Sequence, residues 1–84
     1  MQKTLMTPEE IVNALNSAMA NSGALDGDCK ECQVRRIGRV TEQEAGQLGR
    51  NWNVEMVNGE CLGECMAVLT EVAKEVGRKL DASW

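Results

Sequence analysis

The chain has 84 residues, a formal net charge of −4, no histidine, and Trp52 and Trp84 as its only aromatic residues. This length predicts a single domain, residues 1–84, whose core is built from aliphatic, Met and Ala side chains. The absence of histidine excludes Ser-His-Asp hydrolysis, and the acidic balance argues against nonspecific binding to nucleic acid or membranes.

A helix is predicted over residues 8–21. Thr7 is a good N-cap, Pro8 suits the first helical position, and Glu10 completes a capping box. An apolar stripe at helical spacing follows: Ile11, Ala14, Leu15, Ala18 and Met19.

Two strands are predicted next, over residues 33–40 and 51–57. Val34 and Ile37 have opposite parity, which predicts a bulge or a strand buried on both faces. The second strand alternates apolar and polar residues from Trp52 onward. Two strands joined in this way favour an antiparallel hairpin. Within the connection 41–50, Thr41 and Glu44 resemble a capping box and leave a short helix open.

The longest helix is predicted to follow Asn58-Gly59 and to reach about residue 81. Its stripe is Leu62, Cys65, Met66, Leu69, Val72, Ala73, Val76 and Leu80. The predicted fold class is therefore α+β, in the order α-β-β-α, with two helices packed on one face of the hairpin.

The cysteines form two close pairs, Cys29-x2-Cys32 and Cys61-x3-Cys65. They allow a structural zinc site, a redox pair or buried apolar thiols, and we favour the last. Cys61 and Cys65 at i,i+4 on a helix lie too far apart to bond to each other.

The zinc alternative gains from the hairpin, which would bring both cysteine pairs to the same end of the sheet. Two features argue against a zinc site: the cysteine spacing departs from the common four-Cys pattern, and the surrounding acidic residues would add negative charge to four thiolates. The redox alternative is disfavoured because the Cys29-x2-Cys32 pair lies in an acidic loop before a strand, without the helix N-terminus or basic neighbours that activate a thiol. We expect partial convergence, with Cys65 in the helix–sheet core and with Cys29 and Cys32 at the loop surface. Cys29 or Cys32 should then lie near Cys61.

The only basic segment contains Arg35, Arg36, Arg39 and Arg50. Proteins that bind single-stranded nucleic acid combine basic side chains with aromatic rings on which the bases stack, and no aromatic residue lies among these arginines. A solvated face that pairs with the chain's own acids is favoured over a nucleic-acid surface.

The Cys29-x2-Cys32 motif, a strand, Asn51-Trp52 and a Cys-bearing C-terminal helix together resemble a group of short bacterial proteins with no known activity. The resemblance covers about residues 29–80. Members often carry Cys before the Asn-Trp pair, where this chain has Arg50. The resemblance implies a stand-alone bacterial domain.

These features predict a non-enzymatic binding or interaction domain without catalytic, cofactor or metal residues. Its expected partner is an unknown protein or a second copy in a homodimer, and nucleic acid is not expected. The sequence shows no signal peptide or membrane span, which predicts a cytoplasmic protein with reduced thiols. Two alternatives remain. One is a module that binds zinc through Cys29, Cys32, Cys61 and Cys65 and contacts nucleic acid or protein; the other is a thiol redox or metal-handling protein.

Overall fold

Helices and strands alternate along the chain in the computed structural model, which describes residues 3–21, 32–59 and 62–84. The elements in chain order are β1 (Thr4–Met6), α1 (Pro8–Asn21), β2 (Gln33–Arg39), α2 (Glu42–Leu48), β3 (Trp52–Asn58), α3 (Leu62–Lys79) and β4 (Leu80–Ala82). This mixture confirms the α+β class. The predicted order α-β-β-α is incomplete, because it omits β1, α2 and β4.

The predicted capping box is present at Thr7, and the Thr41 side chain caps α2; these contacts explain where α1 and α2 begin. Thr7 Oγ1 accepts a hydrogen bond from the Glu10 amide at 3.1 Å, and the Glu10 carboxylate accepts in return from the Thr7 hydroxyl at 3.0 Å. At α2, Thr41 Oγ1 accepts from the Glu44 amide at 3.2 Å. These side chains satisfy amides that have no partner within the helix. Residues 41–50 therefore contain the short helix that the sequence left open.

The predicted antiparallel hairpin is confirmed between β2 and β3, with Gln33 opposite Asn58 and Arg39 opposite Trp52. The ladder is irregular between Val34 and Ile37, where the register shifts and then returns. This irregularity lets two residues of opposite parity, Val34 and Ile37, both be buried. It is the bulge that the sequence predicted.

The outer edge of β2 is occupied at Val34 by a side chain from α1. Asn16 Oδ1 accepts from the Val34 amide at 2.7 Å, and Asn16 Nδ2 donates to the Val34 carbonyl at 3.1 Å. One amide side chain thus satisfies both backbone groups that a further strand would need at this position. It also fixes α1 against the hairpin.

A second, parallel pair of strands joins the two ends of the described chain. Thr4 of β1 pairs with Leu80 of β4, and Met6 pairs with Ala82. The sequence prediction that α3 continues to about residue 81 is wrong, since the chain becomes extended at Leu80. Asn51 holds β4 in place: its Nδ2 donates to the Ala82 carbonyl at 2.9 Å, and its Oδ1 accepts from the Ala82 amide at 2.7 Å.

The core lies where α1, α3 and the hairpin meet. α1 contacts both β2 and α3, and α3 also contacts β3. The largest fully buried side chains are Trp52, Ile11, Leu15, Leu69, Val34 and Cys65. Most predicted stripe residues pack in this core, but Met66 is 45 % exposed and was wrongly assigned to it. In the part of the chain that is described, no helix is long and apolar enough to cross a membrane.

Candidate functional site

The best-defined cysteine feature is a disulfide between Cys32 and Cys65. It links the residue before β2 to the first turns of α3. Cys65 is fully buried, as expected, but the expectation that Cys32 lies at the loop surface is wrong, because Cys32 is 4 % exposed. The close approach of the chain at Gly59 accounts for this burial: a Cβ at Gly59 would lie 2.8 Å from the Cys32 Cα.

The disulfide argues against two of the interpretations of the cysteines, the zinc site and the unbonded thiols. Two bonded sulfurs are not thiolates, so Cys32 and Cys65 cannot serve as zinc ligands in this state. The expectation of unbonded thiols is wrong for this pair, while Cys29 and Cys61, with their expected proximity, lie outside the described residues. A buried disulfide is also more typical of oxidising compartments, so the cysteines no longer support a cytoplasmic location.

The basic segment does not form a single face. Arg35, Arg36 and Arg39 are exposed on β2, and Arg36 Nε forms an ion pair with Glu55 at 3.1 Å. That pair fits the predicted solvated face. Arg50 departs from it, because the residue is only 8 % exposed. The grouping of Arg50 with the exposed arginines is therefore wrong.

Arg50 is held by hydrogen bonds and by the aromatic ring of Trp52, two residues further along the chain. Its Nε donates to the Trp52 carbonyl at 3.0 Å, and its Nη2 donates to Asn53 Oδ1 at 3.0 Å. The guanidinium carbon lies 4.9 Å from the centroid of the Trp52 ring, within cation–π distance. Burial lowers the pKa of Arg50, because desolvation disfavours the charged form. Arginine nevertheless stays protonated at neutral pH.

Two neighbours keep this arrangement in place. Trp52 is fully buried and its indole Nε1 donates to the Leu80 carbonyl at 3.1 Å, which fixes the ring on which Arg50 rests. On the other side, α3 approaches the Arg50 side chain at Gly77, where an added Cβ would lie 2.6 Å from the Arg50 Cδ. A glycine at this position therefore lets the helix and the arginine stem pack closely.

Arg50 lines a groove of about 310 Å³ between β3 and α3, here called the Arg50 groove. Its apolar walls are Leu48, Val54, Met66, Leu69 and Ala73, and its polar lining is Arg50, Asn53, Thr70 and Lys74. Leu48 and Met66 are 36 % and 45 % exposed, which is high for large apolar side chains at one place. Apolar walls around a few fixed polar groups are typical of small-molecule sites.

No pattern in the sequence points to this site. Arg50 and Trp52 stand two residues apart, but that spacing has no specific meaning in a strand, and the groove depends on α3 packing beside β3. The comparisons with known proteins supply no further guide: no protein-family model, curated protein or solved structure matches this chain.

Proposed function

We propose that this protein is a non-catalytic binding domain whose ligand occupies the Arg50 groove. The observation that carries the proposal is Arg50 itself, a buried residue in the lining of a largely apolar groove, with no acidic partner among the described residues. Buried charges in proteins are usually paired, and unpaired ones mark functional sites more often than exposed charges do.

The surroundings of the groove support binding rather than catalysis. Its lining residues of a type that can act as nucleophile or base are Thr70 and Lys74, and both are engaged: the Thr70 hydroxyl donates to the Met66 carbonyl at 2.7 Å, and the Lys74 ammonium pairs with Glu71 at 3.6 Å. The proposed architecture, with α1 and α3 on one face of the hairpin and the Cys32–Cys65 disulfide between the two layers, provides a rigid frame. Rigid frames lower the entropic cost of binding.

The redox alternative is less well supported. Thiol–disulfide exchange requires a thiolate to reach one sulfur of the bond. Cys32 is 4 % exposed and Cys65 is fully buried, so an external thiol has little access to either sulfur. The zinc alternative would require reduction of the same buried bond.

A neutral fluorescent probe, N-phenyl-1-naphthylamine, tests the groove without prejudging the charge of the ligand. Met66→Glu places a carboxylate in the groove, and we expect it to weaken probe binding at least tenfold. Met56→Glu is the matched control, because Met56 is 47 % exposed, close to the 45 % of Met66, but does not line the groove. Equal loss in both variants, or no loss in either, would show that the probe binds elsewhere.

Self-association is a second candidate, favoured by Leu5. This residue lies on β1, a three-residue strand of a two-stranded sheet, and it is 67 % exposed. Sheet edges with exposed apolar residues favour pairing with another chain. A homodimer through this edge predicts a mass near 18 kDa, twice the 9.2 kDa of one chain, in sedimentation equilibrium. Leu5→Glu should return the protein to 9.2 kDa, and a wild-type monomer at high concentration would exclude the dimer.

A further inference from the structure

The positive charge of Arg50 is not neutralised by any described residue. Ion pairs in the described part of the chain involve Lys3, Arg36, Lys74 and Arg78, but not Arg50. The two acceptors of its hydrogen bonds, a backbone carbonyl and an amide oxygen, are both neutral. A cation removed from water is best compensated by an anion, so this site is electrostatically suited to a negatively charged ligand.

One nitrogen of the guanidinium is still accessible. Nη1 makes no hydrogen bond with the described residues, and no fully enclosed side-chain nitrogen or oxygen among them lacks a partner. Nη1 must therefore reach the accessible surface, and Arg50 is one of the residues that line the groove. Nη1 and the remaining N–H of Nη2 can donate side by side, the arrangement that a carboxylate accepts in a bidentate pair.

The rest of the groove restricts the ligand to a single charge and an apolar body. Val54, Leu69 and Ala73 form walls that offer no hydrogen bonds from their side chains. The only other cation in the lining, Lys74, lies 3.6 Å from the Glu71 carboxylate, and its side chain is 57 % exposed. A dianion such as phosphate would find one buried cation, because the second cation of the lining is exposed and already paired with a carboxylate. A volume of about 310 Å³ suits a small organic molecule.

We infer that the Arg50 groove binds a small amphipathic monocarboxylate, whose carboxylate pairs with the Arg50 guanidinium and whose apolar chain lies against Val54, Leu69 and Ala73. This inference rests on the proposed function of the groove and adds the chemical class of the ligand to it.

Trp52 provides the readout. Trp84→Phe leaves it as the single tryptophan of the chain, and the Arg50 guanidinium lies 4.9 Å from its ring. A carboxylate on that guanidinium changes the electric field at the indole and hence its fluorescence. The Trp84→Phe protein is titrated at pH 7 with octanoate, octan-1-ol and octylamine, which share one apolar chain and differ in charge. We expect octanoate to bind at least tenfold more tightly than octan-1-ol, and octylamine more weakly than either.

Arg50→Met in the same background removes the charge and keeps an unbranched stem. It should lower the affinity for octanoate to that for octan-1-ol and leave octan-1-ol unchanged. Circular dichroism checks that the variant folds. If it does not fold, the carboxylate assignment is tested by the affinities of the Trp84→Phe protein for octanoate and octan-1-ol.

The failures of the two proposals can be told apart. If the neutral naphthylamine probe binds the groove, but octanoate binds no better than octan-1-ol, the carboxylate assignment is overturned and the binding groove stands. If neither the probe nor octanoate binds, both are overturned.

Discussion

Reducing the Cys32–Cys65 disulfide should destabilise the protein mainly through its unfolded state. The two residues are separated by 33 positions in the chain. By the chain-entropy relation, opening a loop of that length costs about 3.7 kcal/mol of stability at 25 °C. The folded state changes little, because both sulfurs stay in an apolar core as thiols. For a domain of this size, such a loss is a large part of the total stability.

The assay is urea unfolding followed by helical circular dichroism, with and without a phosphine reductant, in a Cys29→Ser/Cys61→Ser background that leaves one reducible pair. We expect the free energy of unfolding to fall by about 3.7 kcal/mol on reduction, and the m-value to rise as the unfolded chain expands. Adding Cys32→Ala and Cys65→Ala gives the control, which should not respond to the reductant. The oxidised sample should contain no titratable thiols before the reductant is added. If reduction of that sample then changes the free energy of unfolding by less than about 1 kcal/mol, the entropic reasoning is refuted.

The remaining predictions concern packing, metal and nucleic acid. Asn51→Ala removes both hydrogen bonds to Ala82, and it should lower the free energy of unfolding by about 2 kcal/mol in urea; a loss below about 0.5 kcal/mol would contradict the role of Asn51 at β4. Gly77→Ala should destabilise the wild type, because its Cβ meets Arg50. The same change should stabilise an Arg50→Ala background by up to about 1 kcal/mol through helix propensity; Gly63→Ala, where nothing lies within 4 Å, is the control and should not depend on Arg50. Excess EDTA should leave the helical circular dichroism unchanged, and loss of signal would revive the zinc alternative. Fluorescence anisotropy should detect no submicromolar binding of single-stranded RNA in about 150 mM salt; such binding, if lost on changing the three β2 arginines to Ala, would contradict the interpretation of β2 as a solvated face.

Features set by neighbouring residues were accessible from the sequence. The N-cap hydrogen bonds of Thr7 and Thr41 each act over three residues, so their sequence patterns predict where a helix can begin. The opposite parity of Val34 and Ile37 likewise predicted the irregular ladder. In each case the physical cause lies within a few positions of the signal.

Features that depend on distant parts of the chain were not predicted. β1 and β4 have three residues each and pair across the length of the domain, so neither has an alternation long enough to recognise. The disulfide joins cysteines from two different sequence motifs, and pairing cannot be deduced from spacing alone. Arg50 looks like its basic neighbours in sequence, but it packs against the Trp52 ring and against α3 at Gly77, and α3 comes from a distant part of the chain.

The most direct test of the Arg50 groove as the binding site is an amide correlation spectrum of the ¹⁵N-labelled protein recorded during titration with octanoate. We expect the largest shifts at residues 48–54 and 66–74, together with a shift of the Arg50 Nε–H resonance. The amide resonances of residues 33–39, on the exposed basic strand, should not shift. Shifts centred on that strand, or spread evenly over the domain, would contradict the assignment of the groove as the binding site.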